Sequence, residues 1–183
     1  MSARAARLSP ASLYAYERAS VLVPLPFLDL SSELSLLDDR WQRKRELHVT
    51  AAHTPSIAER IREPLGLDAG AATDAAWAAL RDATHSDAVG DVVISDEYRH
   101  VRRDADRTLI VLCAVEGLAD LYRHLGERLG AEVEPPPAHV TLYTLPGGEG
   151  IGLHTREELE RDTSPLSPAD ADELRRAVWA HAR

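Results

Sequence analysis

Residues 46–54 read ELHVTAAHT and residues 138–144 read AHVTLYT, so His-Val-Thr occurs twice, with 91 positions separating His48 from His139. Both segments are strand-like, and in a strand residues i and i+2 project from the same face. His48 therefore shares a face with Thr50, and His139 with Thr141, while Val49 and Val140 point the other way, toward a core. The same alternation sets Tyr143 beside His139 and Thr141 and sends His53 to the face opposite His48. Imidazole titrates near neutral pH, so one ring can take a proton while another gives one, each transfer contributing roughly 10²–10⁴-fold. Threonine hydroxyls can donate to the non-bridging oxygens of a phosphodiester as its bonds rearrange. Two such pairs facing each other would supply a base, an acid and charge stabilisation without a metal or cofactor. A plainer reading of the same residues is two half-exposed strands with histidines on a solvated face.

Other segments offer weaker chemistry. RWQRKR places Arg40, Arg43, Lys44 and Arg45 just before the first motif, where all four could draw phosphate to a groove mouth and Arg43 and Arg45 are the leading candidates to bind substrate. A solvated charge run is the plainer account of that cluster. Tyr143 is a candidate to stack on a nucleobase. YRHVRRDADR reads as an exposed turn between strands. GGEGIG follows a strand but lacks the Lys-Ser/Thr of a phosphate-cradling loop, so it reads as a mobile connection. No spacing resembles a zinc site, no Gly-x-Ser-x-Gly elbow is present, and the one cysteine, Cys113, sits among apolar residues as core filler. No metal is expected.

The composition narrows the partners. The chain has 183 residues, 44% apolar and 28% charged, which fits an ordinary globular domain. A net charge of −9 opposes binding along a nucleic-acid duplex, which needs a basic field. A small phosphorylated ligand or an RNA end needs only local donors and remains compatible. No apolar run approaches the ~18 residues of a membrane span. The N-terminus lacks the apolar stretch of a secretory leader, and a cytoplasmic monomer is the expectation.

These motifs need elements to hold them. The run at 20–28, interrupted by Pro24 and Pro26, reads as an edge strand or extended segment. Residues 31–45 read as a polar loop or short helix. A strand over ELHVTAAH leads to a helix at 55–63 with Thr54 as its cap, and an Ala-rich helix follows at 73–85 capped by Thr73. Two strands joined by a turn at Asp104–Asp106 precede a helix stopped by Gly130. Pro135–Pro137 lead into the second motif's strand, and Ser167-Pro168 open a last helix. Strands and helices mix without regular alternation, which predicts an α+β fold with a mostly antiparallel sheet. The whole of 1–183 reads as one domain, with 1–19 loosely packed and 146–183 a loop plus a terminal helix.

LHVTA and AHVTL resemble the paired His-x-Thr signatures of the two-histidine (2H) phosphoesterase superfamily, which includes bacterial RNA 2′,5′-ligase-like proteins and cyclic phosphodiesterases. The resemblance spans roughly residues 20–146 in element order, with only the two motifs specific. It implies a bilobal α+β fold with pseudo-twofold symmetry and a groove between the lobes holding His48, Thr50, His139 and Thr141. It further implies a metal-independent, cofactor-free phosphoesterase acting on a 2′,3′-cyclic phosphate or related cyclic phosphodiester of an RNA end, nucleotide or ADP-ribose. The alternatives are 2′,5′-RNA ligation and a non-catalytic RNA-end or nucleotide binder. Ala51 is smaller than the usual family residue, and the tail after 146 has no assignable counterpart.

Overall fold

The computed structural model describes residues 6–8, 14–16, 19–25, 30–86 and 89–179. In chain order these form β1 (Ala6–Leu8), β2 (Tyr14–Tyr16), β3 (Ser20–Pro24), β4 (Glu33–Leu36), β5 (Asp39–Arg43), β6 (His48–His53), α1 (Thr54–Arg62) and α2 (Ala69–Ser86). There follow β7 (Val92–Arg103), β8 (Asp106–Val115), α3 (Leu118–Leu129), β9 (His139–Thr144), α4 (Arg156–Asp162), β10 (Thr163–Pro165) and α5 (Pro168–Trp179). The fold is α+β, with an antiparallel sheet and five helices among the described residues.

The ten strands share one hydrogen-bonded network in the order β1-β7-β8-β9-β6-β3-β2, with β10 beside β7 and the β4–β5 hairpin attached to β9. The two motif strands are central neighbours in it. Their ladder contains a single registered pair, Val49 opposite Val140, and both valines are fully buried. A second attachment lies just beyond, where Gln42 and Arg43 of β5 face Thr144 and Tyr143.

Helices α1, α2, α3 and α5 pack their apolar residues, which recur at helical spacing, into the main core, whereas Leu159 of α4 packs against the smaller cluster. In α2 these are Ala72, Ala76, Leu80 and Ala83, and in α3 Leu118, Leu121, Tyr122 and Leu125. Gly117 and Gly130, both left-handed, bracket α3. Side chains such as Trp41, Ile61 and Leu125 are buried in the resulting core, and each large apolar side chain so buried stabilises by roughly 1.5–3 kcal/mol. A second, smaller cluster of Val101, Ile110, Ile151 and Leu153 forms where the segment after β9 packs over β7 and β8.

Several expectations give way here. Residues 31–45 hold a β-hairpin rather than a loop or helix, turning at Leu37 and Asp38, both at positive φ. β3 is not an edge strand, since β2 covers its outer side, and Pro24 is tolerated as its last residue. Pro26 lies outside the described residues. Within 1–19, residues 6–8 pair with β7 and residues 14–16 with β3, while 1–5, 9–13 and 17–18 lie outside the described residues. Helix α1 starts one residue earlier than expected, at Thr54. Helix α2 starts four residues earlier, with Asp68 accepting from the Ala71 amide, and Thr73 inside the helix donates to the Ala69 carbonyl. The tail adds α4 and β10 before α5, whose first turn is held by Ser167 Oγ accepting from the Asp170 amide.

Candidate active site

With Val49 opposite Val140 in an antiparallel ladder, His48 falls opposite Thr141 and Thr50 opposite His139. On the face away from the valines the four side chains make a square. In such a ladder directly opposed Cβ atoms lie ~4.5–5.5 Å apart and diagonal ones ~7–8 Å, which sets the two imidazoles across the diagonal gap of the square. A cavity of about 110 Å³ occupies this gap, lined by the four motif residues with Lys44, Glu46, Gly150, Ile151 and Gly152.

Each motif is followed at once by a bulge. Thr50 faces Leu22 and Ala52 faces Val21, so Ala51 is an extra residue on β6. Thr141 faces Ile110 and Tyr143 faces Leu109, so Leu142 is an extra residue on β9. A bulge places two consecutive residues on one side and reverses the alternation beyond it. Ala51 and Ala52 are fully buried, as are Leu142 and Tyr143.

This pair of bulges corrects two parity expectations. Tyr143 is turned out of the pocket into the core, where its hydroxyl donates to the Ser31 carbonyl at 3.2 Å. His53 returns to the face of His48 and Thr50 and stacks on His154, ring centroids 3.9 Å apart and planes 10° from parallel. Its Nδ1 also shares a hydrogen bond with Ser56 Oγ at 2.7 Å.

The basic cluster divides by the same geometry. Arg43 faces Tyr143 across the ladder and donates to the Leu30 carbonyl at 2.7 Å, and Arg45 is exposed; neither lines the pocket. Lys44 does, its backbone pinned by donation to the Leu142 carbonyl at 2.9 Å. Of the four basic residues expected at the groove mouth, Lys44 is thus the one among the lining residues, and Arg43 is drawn away by its bond to the Leu30 carbonyl.

Residues 146–155 form a strap across the site instead of a free loop. Ile151 and Leu153 anchor it in the smaller core, and Gly150 and Gly152 let its backbone approach the pocket. Beyond it, Thr155 Oγ1 accepts from the Glu158 amide and Glu158 accepts from the His154 amide, starting α4. Arg103 binds Asp162 at 2.7 Å and Arg99 donates to Thr163 at 2.6 Å, so two arginines of the β7–β8 hairpin are engaged by the tail. The Thr155-x-x-Glu158 pattern is a capping signature from which α4 is readable; no comparable signal marks His154.

Both motif histidines are held below the ordinary imidazole value. Burial is the main cause for His48, with Lys44 and His139 adding to it and Glu46 opposing. Burial likewise lowers His139, against backbone hydrogen bonding from Pro137 and Ile151. The Nδ1–H of His139 donates to the Pro137 carbonyl at 2.8 Å, which fixes its tautomer. His154 is pushed down to about 4, first by burial and then by His53. The Cys113 thiol is pushed up to about 12 by burial, leaving it inert as a nucleophile. Among the described residues no three His, Cys, Asp or Glu side chains gather as a metal site, and no helix is long and apolar enough to cross a membrane.

Comparison with models of known families, with curated proteins and with solved structures returned no match.

Proposed function

We propose that this chain is a metal-independent phosphoesterase of the two-histidine type, opening a 2′,3′-cyclic phosphate or related cyclic phosphodiester of an RNA end, nucleotide or ADP-ribose. The observation that carries this reading is the cross-strand square, in which two imidazoles and two hydroxyls from distant stretches of chain line one small cavity. In the reaction a neutral imidazole takes a proton from water as its oxygen bonds to phosphorus. The opposite, protonated imidazole gives its proton to the ring oxygen as the P–O bond breaks, leaving a monoester. Thr50 and Thr141 donate to the non-bridging oxygens, where charge must be stabilised. On this reading the molecule is bilobal, one motif to each half, with a groove along the seam. The single pair joining β6 to β9 and the matched bulges after each threonine support a pseudo-twofold relation between the halves.

The test is a panel of cyclic phosphates and 2′,5′-linked oligonucleotides offered in the presence of chelator, with the phosphate position identified in each product. Turnover in chelator is expected, and strict dependence on a divalent ion rejects the scheme. His48→Ala and His139→Ala are each expected to lower turnover by at least about 10², as lost acid–base catalysis requires. Activity surviving both changes removes the assignment. Joining of 2′,5′ ends would mark the reverse direction, and a stable complex without turnover would mark a binding protein.

A further inference from the structure

Lys44 and Glu46 are the charged side chains, apart from the histidines, that line the pocket, two residues apart in the link between β5 and β6. Among the described residues neither is engaged in an ion pair or side-chain hydrogen bond. Both act on His48, Lys44 lowering its pKa and Glu46 raising it, so both charges are felt inside the cavity. The ammonium reaches the far wall. A Cβ built on Gly150 would lie 3.4 Å from Lys44 Nζ and 3.6 Å from Thr141 Oγ1, so lysine, threonine and strap backbone meet at one place. Among the described lining residues Lys44 and Glu46 thus bring one positive and one negative charge beside the two histidines.

Among the described residues no Phe, Tyr or Trp lines the cavity, so those residues supply no stacking platform of that kind for a base. At about 110 Å³ it is also well below the roughly 300–1,000 Å³ that encloses a drug-sized ligand. Discrimination inside it must then rest on the phosphoryl group and its charge. A phosphodiester carries one negative charge at any working pH. The monoester formed by its hydrolysis acquires a second near pH ~6.

We propose that Lys44 and Glu46 act as a charge filter, Lys44 binding the non-bridging oxygens of a singly charged phosphodiester and Glu46 repelling the doubly charged monoester. The inference rests on the phosphoesterase reading and extends it, giving Lys44 a part in binding the diester and Glu46 a part in product release. Glu46 is exposed at the mouth of the cavity, so its repulsion acts on the departing monoester there and should weaken as salt is raised.

The test is calorimetric titration at pH 7.5 with a 3′-deoxynucleoside 2′-phosphate and with its methyl ester, which lacks the second charge and cannot cyclise. The methyl ester is expected to bind at least tenfold more tightly than the monoester. In Glu46→Gln that preference should shrink to threefold or less, and in Lys44→Ala the methyl ester should lose at least tenfold in affinity. Equal or tighter binding of the monoester by the unaltered protein, or an unchanged preference in Glu46→Gln, overturns the filter. Turnover of cyclic phosphates without charge discrimination sinks the filter alone, whereas charge-selective binding without turnover sinks the phosphoesterase reading and leaves the filter standing.

Discussion

The proposed mechanism requires one of His48 and His139 charged and the other neutral, and burial disfavours the charged form of both. The kcat/KM profile is therefore expected to be a bell centred below pH 6.5. It should fall toward alkali by about tenfold per pH unit once the acid has lost its proton, and toward acid as the base gains one. A profile centred above pH 7 would contradict the lowered values. Tyr143 separates geometry from resemblance. Its hydroxyl serves the Ser31 carbonyl, so Tyr143→Phe should cost about 0.5–1.5 kcal/mol in denaturant unfolding with turnover unchanged. The motifs themselves were legible because His-x-Thr places both functional groups on one face within three residues, before any irregularity intervenes. Tyr143 and His53 lie past the point where each strand gains a residue, and Ala51 and Leu142 carry no glycine or proline that would announce it.

Among the elements, the strap is held by close approach. A Cβ on Gly152 would lie 2.7 Å from His154 Nε2 and 2.8 Å from Cε1, and that ring is already stacked on His53. Gly152→Ala is expected to lift the strap, costing roughly 1–3 kcal/mol of overpacking and reducing kcat/KM as Ile151 leaves the neighbourhood of His139. Thermal melting and steady-state kinetics on the one variant check both effects; wild-type values for both would show that the strap tolerates the methyl group. The strands of the β7–β8 hairpin and helix α3 could be read from sequence because a polar turn and Gly130 punctuate them. The β4–β5 hairpin could not, since its turn is built from Leu37 and Asp38 at positive φ, positions where Asn-Gly or Asp-Gly is the usual sign. Helix α2 began early because Asp68, not Thr73, accepts the first free amide.

Over the whole molecule, burial lowers the pKa of His48, His53, His100, His139 and His154, the last to about 4. A base with a lower pKa folded than unfolded is protonated first in the unfolded chain. The stability it carries is full above the unfolded value of ~6.5 and is lost as pH falls from there toward the folded value. The melting temperature is expected to be flat above pH 7 and to drop by at least about 5 °C between pH 7 and pH 4.5; a melting temperature that rises over that interval would refute the burial of these rings. Activity and stability therefore pull apart, one favouring mild acid and the other neutrality. The α+β class was readable from the mixture of segments, but the union of all strands in one network was not, because it depends on the contact of Val49 with Val140 across half of the chain. That contact has a further consequence for the proposed chemistry. A cradle whose halves are so alike has no built-in front or back, and a diester laid across it in either sense meets an imidazole at each end. What tells the ends apart lies outside the repeat: a lysine beside one histidine and a length of tail over the other. On that proposal reactivity would belong to the two His-Val-Thr strands and orientation to the additions around them, so altering the tail alone would be a route to change what such a scaffold acts on.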